Sequence, residues 1–211
     1  LPEIVSSSAL PRRLARLTAT RLVFLTLALG LVGLFYLRGV QLGSTSLQIG
    51  LALLVISFAL AGCYAVLLRL GRGLSFVADA QIVLDQLTWT VVAYLTGGAS
   101  SGAASFYGLT CLVGAALSGL RGAAIAVVSG IVCYSSLVVL LASGVLLPPP
   151  DQPPAIYRLS GEEVRFYLAV NALAQLVVAL LAGTLAERLR WTGGELVLAT
   201  ERADQAERMA A

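Results

Sequence analysis

Asp85 carries the clearest chemistry in this sequence, because it lies in the apolar run 83–102, which closes on Thr96-Gly97-Gly98-Ala99-Ser100-Ser101-Gly102. A carboxylate at mid-membrane costs about 2.5–3.5 kcal/mol on insertion scales, so it faces a partner or a wet cavity. At helical spacing Gln81, Asp85, Thr88 and Val92 share a face with Trp89 beside it, while Gln86 and Thr90 add polarity to the same run. A second polar pair, Asn171 and Gln175, stands one turn apart in another apolar run. Matching depths at 1.5 Å per residue sets Gln175 level with Thr90 and Asn171 near Tyr94. The expectation is a ligand- or signal-binding pocket between these two helices, formed by Asp85, Gln86, Thr88, Asn171 and Gln175 and walled by Trp89 and Tyr94. The competing reading is polar glue between membrane helices, which measured cycles put at about 0.6 kcal/mol per contact.

Other chemistries are excluded by residue type. Histidine is absent, which removes the commonest general base and metal ligand and the phosphoacceptor of histidine kinases from these 211 residues. No catalytic residue is therefore assigned. Cys63, Cys111 and Cys133 each sit in an apolar run without metal-ligand spacing and read as small buried hydrophobes, so no metal site is expected. The Thr96–Gly102 stretch lacks the lysine of a phosphate-binding loop and reads as a tight hairpin.

The elements that must position these residues are membrane helices. The chain is 58% hydrophobic and 12% charged, with mean hydropathy +0.90, so the lipid bilayer is its main solvent. All 14 basic residues are arginine and lie between the apolar runs, a topology signal and not a nucleic-acid surface. Residues 1–21 read as an N-terminal segment with an interfacial helix, and 22–186 as a six-helix transmembrane domain. The expected spans are roughly 18–37, 47–68, 77–96, two helices split from the block 103–145 at Arg121, and 164–186. The third is the most polar and a marginal inserter alone. Between the fifth and sixth, Pro148-Pro149-Pro150-Asp151-Gln152-Pro153-Pro154 forms a stiff outer loop, and Ser160 with Glu163 spells a capping box. Nine arginines (Arg12, Arg13, Arg16, Arg21, Arg69, Arg72, Arg121, Arg188, Arg190) flank one side against Arg38, Arg158 and Arg165 on the other, so both termini are expected in the cytoplasm.

Residues 187–211 turn polar, yet Leu185, Leu189, Thr192, Leu196, Ala199, Ala203, Ala206 and Ala210 keep a four–three spacing. That is a heptad seam, and it predicts a signalling helix that pairs with its copy, with Gly193-Gly194 as a soft point. The alternative is an unpaired amphipathic surface helix. Small residues recur four apart in several runs, and the pair Ala179 and Gly183, adjoining the seam, suggests a dimer contact. Ala211 falls within a helical pattern, so more chain is expected beyond it.

Arg21-Leu22, then Asp85-Gln86-Leu87 with Tyr94-Leu95-Thr96-Gly97-Gly98-Ala99-Ser100-Ser101, and Leu185-Ala186-Glu187-Arg188-Leu189-Arg190 resemble the membrane sensor module of PilS-type bacterial sensor histidine kinases. The resemblance covers about residues 12–211. It implies a six-helix homodimeric sensor in the bacterial inner membrane, followed by kinase domains that use ATP and magnesium and act on a response regulator. It also implies a membrane-protein ligand such as pilin, and control of type IV pilus genes. No cofactor is assigned within the 211 residues. A small transporter with an inverted repeat and a site between the third and sixth helices is the rival reading, and a passive membrane anchor is a third.

Overall fold

The structure is a computed structural model that describes residues 23, 26, 27, 30, 44–70 and 74–210, the side chains of 68, 69, 74 and 194–210 excepted. The first expected span and the N-terminal segment thus lie almost entirely outside the described residues. What is described is all-helical: α1 (Thr45–Leu70), α2 (Leu74–Leu95), α3 (Phe106–Ser118), α4 (Leu120–Ala142) and α5 (Gly161–Ala210), with short 3₁₀ turns at Gly98–Ser100, Gly102–Ser105 and Pro154–Tyr157. Three stretches are long and apolar enough to cross a membrane, namely Thr45–Leu67, Leu120–Ala142 and Gly161–Gly193. Together with the composition they make this a membrane protein. Six spans are not reached among the described residues. The third expected span, α2, has 22 residues but carries Asp79, Gln81, Asp85 and Gln86, and the fourth, Gly102–Ser118, is too short.

Successive helices run antiparallel. At one end Tyr94 of α2 donates its hydroxyl to Leu147 O at 2.9 Å, and Tyr157 donates to Tyr94 O at 2.8 Å. There the proline loop also caps α1: Asp151 accepts from the Ser46 amide at 3.0 Å and the Ser46 hydroxyl at 2.8 Å. A carboxylate at a helix N-terminus meets both the free amides and the positive end of the dipole. The glycine hairpin lies at this end too, with Gly97 and Gly98 at φ +119° and +64°, a conformation that side chains with a Cβ rarely adopt.

At the opposite end α3 turns into α4 through Gly119, and Arg121 pairs with Asp79 of α2 at 2.6 Å. The Arg121 side chain is 67% exposed, so that pair is worth little in energy. The interhelical split thus falls at Gly119, two residues before Arg121. Gly114 and Gly122 bring the two backbones into contact, since a Cβ on Gly122 would lie 2.0 Å from Gly114 O.

The capping box forms as the sequence spells it. The Ser160 amide donates to Glu163 Oε2 at 2.7 Å, and the Glu163 amide donates to Ser160 Oγ at 3.3 Å. Because the box caps the first turn, α5 starts at Gly161 and not at Val164. It then continues without a break through Gly193-Gly194 to Ala210, so the expected soft point does not interrupt the helix.

Two buried apolar clusters hold the bundle. The one toward the Gly119 end is built of small residues, among them Ala78, Cys111, Ala115, Ala126, Ala179 and Ala182 around Ile82. The one toward the proline loop is aromatic, with Trp89, Tyr107 and Tyr134 against Val92, Leu137 and Val138. Between them lies a polar layer.

Candidate functional site: a polar layer between two apolar clusters

The layer is made by Gln86 on α2, Gly130 on α4, and Asn171 and Gln175 on α5. Gln86 is fully buried and donates its Nε2 to Ala126 O at 2.8 Å, with Tyr107 O at 3.5 Å. Gln175, 1% exposed, donates Nε2 to Asn171 Oδ1 at 2.5 Å, and Asn171 Nδ2 reaches Ala104 O at 3.4 Å. The two glutamines meet over Gly130: a Cβ placed there would sit 2.1 Å from Gln175 Oε1 and 2.8 Å from Gln86 Nε2. Glycine is what lets α4 stand between α2 and α5 while their amides converge.

This arrangement has more acceptors than donors. Gln86 Oε1 and Gln175 Oε1 are both buried and have no hydrogen-bond partner among the described residues. A buried polar atom left unmatched costs about 1–3 kcal/mol.

The remaining predicted residues fall in different places. Asp85 and Gln81 are buried on the same face of α2, at 7% and 2% exposure, and both are engaged by neighbouring groups. Thr88 is buried and closes on its own helix, its hydroxyl donating to Leu84 O at 2.8 Å. Trp89 turns to α3, where its Nε1 donates to Thr110 Oγ1 at 3.1 Å and its ring lies 4.6 Å from Phe106. Tyr94 reaches the proline loop. Trp89 and Tyr94 therefore do not wall a cleft between the third and sixth helices. Those helices pack chiefly on α3 and α4, which stand between them.

Ala179 and Gly183 are also reassigned. Both are buried inside the chain, and a Cβ on Gly183 would meet Leu120 Cδ2 at 2.6 Å, so this face packs against the start of α4 and not against a second copy. Leu185 and Leu189 are exposed, at 58% and 66%, as a free seam requires. The backbone of Gly193, Gly194 and Leu196 continues the helix, and the side chain of Leu196 is outside the described residues. Of the cysteines, Cys111 is buried and Cys133 half-buried, but Cys63 is exposed on α1, a peripheral helix whose surface faces outward.

Several residues of the site escape a sequence reading. Tyr107 on α3 is fully buried; its hydroxyl lies 2.7 Å from Thr90 Oγ1, and its ring meets Tyr134 edge-on at 5.6 Å. Tyr134 donates to Ala99 O at 2.9 Å. Gly130 stands four residues after Ala126, a small-residue spacing that reads as close packing but not as an opening for two glutamines. No protein-family model, no curated protein and no solved structure matches the chain.

Proposed function

We propose that the chain is the membrane sensing and dimerising module of a sensor histidine kinase, with six spans and both termini in the cytoplasm. The observation that supports this most is the course of α5. It starts at a capping box beside the outer loop, contributes Asn171 and Gln175 to the polar layer, and runs on as one helix to Ala210. Fifty residues make a rod of about 75 Å, more than twice the hydrocarbon core. A displacement at the layer is thus carried rigidly to whatever follows. Occupancy of the polar layer shifts α5, and the seam from Leu185 onward passes the shift to the paired copy and on to ATP-dependent kinase domains and a response regulator. A membrane-protein signal such as pilin, and type IV pilus genes as the target, follow from the sequence resemblance alone.

The transporter reading gains nothing from a broken helix, since α1, α2, α4 and α5 are each continuous. The test is ATP-dependent autophosphorylation of the full-length protein in membranes, compared with Asp85→Asn and Gln175→Leu. The proposal expects phosphorylation, and a changed basal level in both variants. No phosphotransfer, or phosphorylation indifferent to both substitutions, would overturn it.

A further inference from the structure

Three contacts tie α5 to the α3–α4 hairpin and the turn before it, each at a different height. Toward the proline loop, Asn171 Nδ2 reaches Ala104 O at 3.4 Å. Toward the Gly119 end, Gly183 receives Leu120: a Cβ on Gly183 would lie 2.6 Å from Leu120 Cδ2 and 3.5 Å from Leu120 Cα, so α5 meets the start of α4 almost backbone to backbone. Below that point residues 184–193 are exposed except the half-buried Ala186. There Arg190 donates one hydrogen bond to Leu117 O at 3.2 Å.

The support under Gly183 is stiff. Gly114 and Gly122 hold α3 and α4 at contact distance. Leu120 follows Gly119, whose amide donates to Ala115 O at 2.8 Å and whose carbonyl accepts from the Ala123 amide at 3.0 Å. Above the contact there is clearance. A groove of about 390 Å³ separates α5 at Asn171, Ala174 and Gln175 from the chain between Ala99 and Gly108. A slide of α5 along the hairpin is opposed, because Ala179 and Ala186, next to Gly183 on that face, each carry the Cβ that Gly183 lacks. A tilt meets no such obstacle.

We propose that α5 is a lever that pivots at Gly183 on Leu120, with the groove and the Arg190 contact as its two opposed ends. When α5 closes the groove, its exit swings away from Leu117 and the Arg190 contact breaks. When Arg190 is seated, the groove stands open, as it does in this structure. Ala174 lies nine residues above the pivot and Ala203 twenty below it, or about 14 Å and about 30 Å at the helical rise. About 1 Å of closure at the groove thus becomes about 2 Å of opposite movement at Ala203. This deepens the sensing reading above by naming the motion α5 makes, and rests on that reading only for what the motion controls.

The test is distance measurement by double electron–electron resonance on the full-length protein in nanodiscs. Spin-labelled unnatural amino acids leave the native cysteines in place, and an excess of unlabelled copies restricts the reading to one chain. The upper pair, Leu109 and Leu173, spans the groove from exposed positions outside its lining. The lower pair, Ala116 and Ala203, spans the exit. Arg190→Gln should shift the population about twofold to fivefold toward a shorter upper and a longer lower distance. Ala174→Phe, at an exposed position on the groove wall, props the groove open and, added to Arg190→Gln, should cancel both shifts. Leu120→Ala removes the pivot, so in that background Arg190→Gln should lengthen the lower distance and leave the upper one unchanged. Leu120→Met keeps a side chain at the pivot and should preserve the inverse pair.

Upper and lower distances that change in the same sense, an upper distance indifferent to Arg190→Gln, or inverse changes that persist in Leu120→Ala would overturn the inference. Inverse changes in a protein without autophosphorylation would keep the pivot and remove the sensor reading. Autophosphorylation that responds to Gln175→Leu without inverse changes would do the reverse.

Discussion

At the level of single residues, Gly130 decides whether the polar layer exists. A methyl group there overlaps Gln175 Oε1 and Gln86 Nε2, so Gly130→Ala should destabilise the protein by about 1–3 kcal/mol, read as a lower thermal midpoint in detergent. Adding Gln175→Ala to that variant should restore much of the loss. Gln175→Leu is expected to be near neutral for stability, within about 1 kcal/mol. It removes an unmatched buried oxygen while leaving Asn171 Oδ1, in a half-buried side chain, without its donor. A substitution that spares stability yet alters output is the signature of a polar group kept for function. Gln86, Asn171 and Gln175 are legible in the sequence because amides in apolar runs are costly and few. Trp89 and Tyr94 were misplaced as walls because helical spacing gives the face a residue occupies but not which neighbour covers it. Tyr107 and Tyr134 were invisible because a buried tyrosine in an apolar run looks like any core aromatic.

At the level of elements, α5 is attached to the bundle near its exit by Arg190, which donates to Leu117 O at 3.2 Å and lies over Gly119. Leu117 is in the last turn of α3, where carbonyls are free and the dipole is negative, so a guanidinium there caps the helix. Arg190→Gln should loosen the exit of α5 at a cost of about 0.3–1 kcal/mol, visible as faster hydrogen exchange around 186–193 with little change near Asn171. Equal protection in both proteins would mean that Arg190 does not hold the exit. The capping box and the glycine hairpin were readable because each is a local pattern with a local cause. The short α3 and the buried Ala179–Gly183 face were not, because small residues four apart suit any close contact, within a chain or between chains.

For the whole molecule, the proline loop sits over the glycine-hairpin end of the bundle and caps α1 through Asp151. Partial burial raises the Asp151 carboxyl, but the hydrogen bonds from Ser46 outweigh it and hold it below the usual carboxylate range. A depressed folded-state value means that the cap's contribution is complete above the unfolded value, near about 3.9, and is lost as pH falls through the folded value. Asp151→Asn should therefore lower stability by about 0.3–1 kcal/mol at neutral pH, and the gap to the native protein should close on acidification. The proposed six-span topology predicts that alkaline phosphatase inserted between Pro148 and Pro154 is active, and an inactive fusion would overturn that topology.

The central claim is that the polar layer and the exit seam are joined by one rigid helix. Inserting one, four or seven alanines between Gly193 and Gly194 of the full-length protein and measuring autophosphorylation in membranes tests it most directly. One residue turns everything downstream by about 100°, whereas seven restore the heptad register. The account predicts altered output for one residue and near-native output for seven, with the Gln175→Leu effect retained only in the seven-residue protein. Equal output from all three insertions would contradict it.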